Sequence, residues 1–108
     1  MRACAEVEGV LQHYVFLKYR DDTSREHIAT FCERMLDLRN SIDHIRHLEI
    51  GRDELRDGRS WDLVLIMRFE SVAALRAYQR HPEHRAVMAF NDPFVADVGS
   101  VDFERALR

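Results

Sequence analysis

The sequence predicts an α+β domain of the ferredoxin-like type, β-α-β-β-α-β with an extra short helix before the last strand. Three observations carry this prediction. Apolar and aromatic residues run at strand spacing through 11–19 and 61–69. They run at helical spacing through 28–38 and 74–78, each time behind a capping residue. Turn chemistry at "RDDTS", "RDELRDGRS" and "HP" separates these runs. With 108 residues, 46% hydrophobic and 32% charged, the chain is large enough for one globular core and too short for two. Residues 1–10 read as an N-terminal extension and 11–108 as the single domain.

The first strand is "LQHYVFLKY", 11–19, aromatic and β-branched. One face carries His13, Val15, Leu17 and Tyr19, the other Tyr14, Phe16 and Lys18. Thr23 then opens a T-x-x-E capping box with Glu26, and Ile28, Phe31, Cys32, Met35, Leu36 and Leu38 form one apolar stripe ending near Asn40. A second strand, "HIRHLEIG" at 44–51, is followed by a polar loop. The strongest strand, "WDLVLIMRF" at 61–69, has Trp61, Leu63, Leu65, Met67 and Phe69 on one face and Asp62, Val64, Ile66 and Arg68 on the other. Ser71 caps the helix "VAALRAYQR". Pro82 ends it, since the residue before a proline leaves the helical region, and starts the short helix "PEHRAVMAF". After a break at 91–93 comes the last strand, "FVADVGSVDF", with Gly99 as a candidate bulge.

In this order of elements both helices lie on one side of the sheet. Tyr14, Phe16, Val64 and Ile66 then form an apolar patch on the other side, which a second copy of the sheet would cover. A homodimer through that face is the expected partner.

The net charge of −3 is spread, with Arg alternating with Asp and Glu, so no basic groove for nucleic acid is expected. Glu6 and Glu8 interrupt the apolar core a signal peptide needs, and the run Leu63–Met67 is far too short to span a membrane. The expectation is a cytoplasmic protein, without membrane contact, in which Cys4 and Cys32 are reduced thiols. No G-x-G-x-x-G, P-loop, H-E-x-x-H or G-x-S-x-G occurs. No cofactor is expected, and any chemistry would be proton transfer. His81 and His84 have H-x-x-H spacing, but a proline and a change of helix direction separate their rings, so no metal is expected either.

The segments "HYVFLKYRDDTS", "WDLVLIMRFESVAALRAYQRHPEH" and "VDFE" resemble the stress-responsive dimeric α/β-barrel (Dabb) family, from about His13 to Glu104. The resemblance implies a ferredoxin-like protomer whose sheet joins a partner's in a barrel across a homodimer. The family includes plant stress proteins and a plant polyketide cyclase of the olivetolic acid type, which closes a linear tetraketide by an aldol condensation. On that resemblance Tyr78, His84, Asp102 and His13 match functional positions of the cyclase, with Asp102 orienting His84. The sequence departs at Leu63, where the cyclase has a second functional histidine.

Considered as chemistry, His84 sits in the first turn of a short helix, whose dipole disfavours an imidazolium and leaves a neutral ring able to act as base. Asp102, bonded to the other ring nitrogen, would hold one tautomer and stabilise the imidazolium formed. Tyr78 is either a donor to a developing oxyanion or a core aromatic. His13, on an apolar face, is either a structural or a catalytic residue. His81 reads as a helix-ending residue facing solvent, and His44 and His47 as a solvated face. A pocket between sheet and helices would be lined by Val15, Leu17, Phe31, Met35, Leu63, Leu65 and Met67. Three functions follow: binding of a small, largely apolar molecule, a cofactor-independent cyclase or lyase using His84 as base, or a purely structural dimer whose side chains fill the pocket.

Overall fold

The first apolar run forms β1 (Leu11–Tyr19) at the interior of a four-stranded antiparallel sheet. The computed structural model describes residues 10–104. Cys4, with the expected extension before residue 10, and the last four residues lie outside them. After β1 come α1 (Arg25–Ser41), β2 (His47–Arg52), β3 (Leu63–Phe69), α2 (Val72–Arg80), α3 (Pro82–Asn91), a 3-10 turn (Asp92–Phe94) and β4 (Val95–Glu104). The strand order is β2-β3-β1-β4, the arrangement of a ferredoxin-like fold.

Alternation along β3 decides which face meets the helices. Leu63, Leu65, Met67 and Phe69 are buried, while Val64, Ile66 and Arg68 are only half-buried. Phe31 and Met35 from α1 close on Met67 and Phe69 in a core where all four are fully buried. Each such side chain contributes about 1.5–3 kcal/mol on leaving water. Pairing carries the other face across the sheet: Tyr14 lies between Ile66 and Val101, and Phe16 between Val64 and Gly99. Val101 and Phe103 are 53% and 45% exposed, so β4 widens the apolar patch beyond the residues on β1 and β3.

Four local expectations are corrected. The cap of α1 is Ser24, whose hydroxyl accepts from the His27 N–H; the Thr23 hydroxyl instead donates to the Phe94 carbonyl at 3.4 Å. The second strand starts at His47, because a turn closed by Ile45 N–H to the Ile42 carbonyl occupies the preceding residues. Trp61 precedes β3 and does not share its buried face. It packs beside Phe16, ring centroids 5.9 Å apart, on the helix-free side of the sheet. Gly99 pairs regularly with Phe16, and the irregularity in β4 falls opposite Lys18 and Tyr19, where the strand leaves the 3-10 turn.

The loop between β2 and β3 is held by Arg56, which takes a left-handed conformation (φ 53°). Its guanidinium meets Asp53 at 3.0 Å and Asp62 at 2.5 Å, and the other Asp62 oxygen accepts from the Tyr19 N–H at 2.7 Å. Among the described residues no helix is long and apolar enough to cross a membrane.

Candidate ligand cavity and acid/base site

Helices α1–α3 leave the outer part of the sheet thinly covered, and between β1, β4 and α3 lies a cavity of about 320 Å³. Its apolar wall is Val15, Leu17, Phe31, Leu65, Met88 and Val95, with the more exposed Val98 at the rim. Its polar groups are His13, Ser100, Tyr78, Gln79, His84, Asn91 and Asp92. Of the pocket residues expected from sequence, Val15, Leu17, Phe31 and Leu65 line this cavity. Met35 and Met67 lie in the closed core, and Leu63 borders a separate polar cleft beyond Tyr19. The cavity lies on the β1–β4 side of the sheet, and of the three β3 residues only the middle one, Leu65, which pairs with Val15, reaches it.

Pro82 sets the geometry of the histidines. The chain breaks at His81, whose Nδ1 accepts from the Glu83 N–H and so caps α3. Pro82 occupies the first helical position and needs no partner for the N–H it lacks. One turn on, His84 turns back over α2. Its ring centroid lies 4.3 Å from that of Tyr78, and its Nδ1 lies 3.2 Å from the Gln79 carbonyl. A carbonyl only accepts, so Nδ1 carries the proton and Nε2 of the neutral ring keeps its lone pair. Burial lowers the pKa of His84 below its ordinary 6.5, against the opposing pull of the Gln79 carbonyl, and the neighbouring His13 lowers it further.

Asp102 does not reach His84 as the resemblance implies. It stands directly opposite His13 in the β1–β4 register, and its Oδ1 lies 2.5 Å from His13 Nδ1. The carboxylate therefore fixes the tautomer of His13, and the backbone carbonyl of Gln79 does the same for His84. Tyr78 is 2% exposed, and burial pushes its phenol up. Its phenol therefore stays protonated at neutral pH. His44 is exposed, and His47 is bonded to Glu49 at 3.0 Å on the far strand β2.

Sequence reading did not single out Met88, Asn91, Val98 or Ser100. Met88 and Asn91 follow His84 at helical spacing of four and seven. Ser100 and Val98 pair with Val15 and Leu17. Both signals were available once His84 and β1 were fixed.

The lowered pKa of His84 has a stability consequence. Between its folded pKa and 6.5 the unfolded chain binds more protons at this residue than the folded one. Stability from this group therefore rises with pH through that window, is fully present above about 6.5, and is lost as pH falls. Urea midpoints measured from about pH 5 to about pH 8 should show a shallower acid decline in His84→Gln than in the parent. An equal slope would remove His84 as a buried neutral ring.

Residues 11–105 match the family described as Stress responsive A/B Barrel Domain. No curated protein sequence matches the chain. Among solved structures, a dimeric ferredoxin-like protein of unknown function from Bacteroides fragilis is 28% identical, covering 92% of this chain and 99% of that one, with a TM-score of 0.82. A dimeric ferredoxin-like protein of unknown function from Thermobifida fusca is 23% identical, covering 89% and 91%, with a TM-score of 0.80. A hydroxynitrile lyase from Passiflora edulis shares the fold at 16% identity, covering 89% and 93%, with a TM-score of 0.80.

Proposed function

The chain belongs to the stress-responsive α/β-barrel (Dabb) domain family, and on that premise we propose that it is a homodimer whose protomers each bind a small, largely apolar molecule in the β1–β4–α3 cavity. The observation that carries this reading is the cavity: about 320 Å³, an aliphatic and aromatic wall, and a few polar side chains converging on it. A structural dimer with a filled pocket would have no such space. The dimer reading rests on the helix-free sheet face, where Tyr14, Phe16, Val64 and Ile66 are continuous with Trp61, Val101 and Phe103. Two of the similar structures are themselves described as dimeric.

Val98 is 57% exposed at the cavity rim, so a larger side chain there fills the opening without entering the core. Titration of the protein with decan-2-one, followed by amide chemical shifts, should perturb residues 13–17 and 84–91 in the parent and leave them unmoved in Val98→Trp. Binding that survives in Val98→Trp, or shifts confined to other surfaces, would refute the assignment of this cavity.

One observation favours a second, catalytic reading. His84 presents a neutral Nε2 beside a phenol that stays protonated and a second histidine held by Asp102. That is an acid/base set for cofactor-independent lyase or cyclase chemistry. His84 takes the proton α to a carbonyl while Tyr78 donates to the oxygen on which charge develops. The Passiflora edulis relative, named a hydroxynitrile lyase, supports catalysis on this fold without identifying the substrate here.

A further inference from the structure

The acid/base set leaves one buried polar side chain of the cavity unused. Asn91, the last residue of α3, is 2% exposed and lines the cavity. Its Oδ1 accepts two hydrogen bonds, from the Tyr19 hydroxyl at 2.8 Å and from His27 Nε2–H at 3.0 Å. His27 is itself held between the rings of Phe90 and Phe94, with centroids 4.5 and 4.0 Å away. A planar amide whose oxygen is fixed in this way has its NH₂ direction fixed as well. Among the described residues no protein group accepts from Asn91 Nδ2, and the sealed side-chain atoms without partners are Gln12 Nε2 and Arg68 Nε. The Asn91 NH₂ therefore opens on the cavity.

We infer that Asn91 is a recognition residue whose Nδ2 donates a hydrogen bond to an acceptor oxygen on the bound molecule. This rests on the cavity-binding reading and narrows the ligand class. His84 and Asn91 lie seven residues apart on one face of α3, about 10 Å along its axis. Apolar side chains, among them Leu17, Phe31 and Met88, line the cavity with them. The molecule that satisfies both ends is slender and apolar in its middle, with one carbonyl-type oxygen that accepts from the Tyr78 hydroxyl beside His84 and a second that accepts from Asn91. Asp92 beside Asn91 disfavours a carboxylate at that end, so the acceptor is neutral.

The test uses two neutral probes of equal length, decane-2,9-dione and decan-2-one, titrated by calorimetry. The parent should bind the diketone about tenfold more tightly, a difference of about 1.4 kcal/mol. Asn91→Asp keeps an oxygen for Tyr19 and His27 and replaces the NH₂ by a second acceptor. It should lose the diketone preference, keep the affinity for decan-2-one, and gain affinity for 9-aminononan-2-one, whose ammonium donates where the ketone accepted. Asn91→Leu, which lacks the donor at similar volume, should also lose the preference. Equal binding of the two ketones by the parent, or a preference intact in either variant, would overturn the role of Asn91 and leave the cavity reading standing. Failure of the parent to bind either ketone would overturn the cavity reading itself.

Discussion

His84→Ala is expected to slow exchange of the α-protons of decan-2-one in D₂O by about 10²–10⁴-fold, the usual contribution of a positioned general base. The assay needs no knowledge of the natural substrate, because enolisation is the first step of any aldol-type cyclisation. A neutral imidazole with a free Nε2 can start it, and both conditions are set by the fold: Gln79 holds the proton on Nδ1, and burial favours the neutral ring. The variant should remain dimeric with a nearly unchanged thermal midpoint, since His84 is half-buried at the edge of the cavity and away from the sheet face. Exchange in His84→Ala equal to that of the parent would exclude His84 as base. A parent that binds the ketone without exchanging its protons would reduce the protein to a binding module.

The second large effect concerns assembly. Ile66→Asp places a carboxylate at the middle of β3 on the helix-free face, beside Tyr14 and opposite Glu49. In the protomer the side chain is half-buried and the ion can reach water. In a face-to-face dimer it is withdrawn from water beside the like charge of Glu49, and even with Arg68 two residues along the same face the cost is about 4 kcal/mol per buried carboxylate. That is roughly a thousandfold in Kd for each of the two symmetry-related groups. Sedimentation at micromolar concentration should show the parent as a dimer and Ile66→Asp near the 12.8 kDa of a single chain, with circular dichroism unchanged. A parent sedimenting at the monomer mass would refute the dimer, and a variant that stays dimeric would move the interface elsewhere.

Elements whose cause is local were legible in the sequence. The strand β1 was read at its observed limits, the alternation of β3 at its observed phase, and the Pro82 junction as both stop and start, because spacing, capping and proline sterics act within a few residues. Errors arose where two local candidates competed and a distant contact chose between them. Thr23 and Ser24 are both good caps, and the Phe94 carbonyl, brought close by folding, draws the hydroxyl of Thr23 and leaves Ser24 to cap. Trp61 continues the period of β3, yet the strand begins only at Leu63, and the indole settles instead against Phe16 across the sheet.

The same division holds for the site. Residue types and local geometry determined that His84 follows a proline at the start of a helix and that Tyr78 ends the preceding one. Which group orients His13 was decided by tertiary structure, whereas the carbonyl that holds His84 lies only five residues before it, at the bend between α2 and α3. The β1–β4 register sets Asp102 opposite His13, while the fold of α3 back on α2 brings His84 to the Gln79 carbonyl. Asn91 reads in sequence as a helix-breaking residue before a proline. Only the meeting of β1, α1 and α3 gives its oxygen two donors, from Tyr19 and His27, and sets the residue in the cavity wall. Helix and strand formation answer to neighbours along the chain, whereas hydrogen-bond partners and cavity walls are fixed by packing between elements far apart in it.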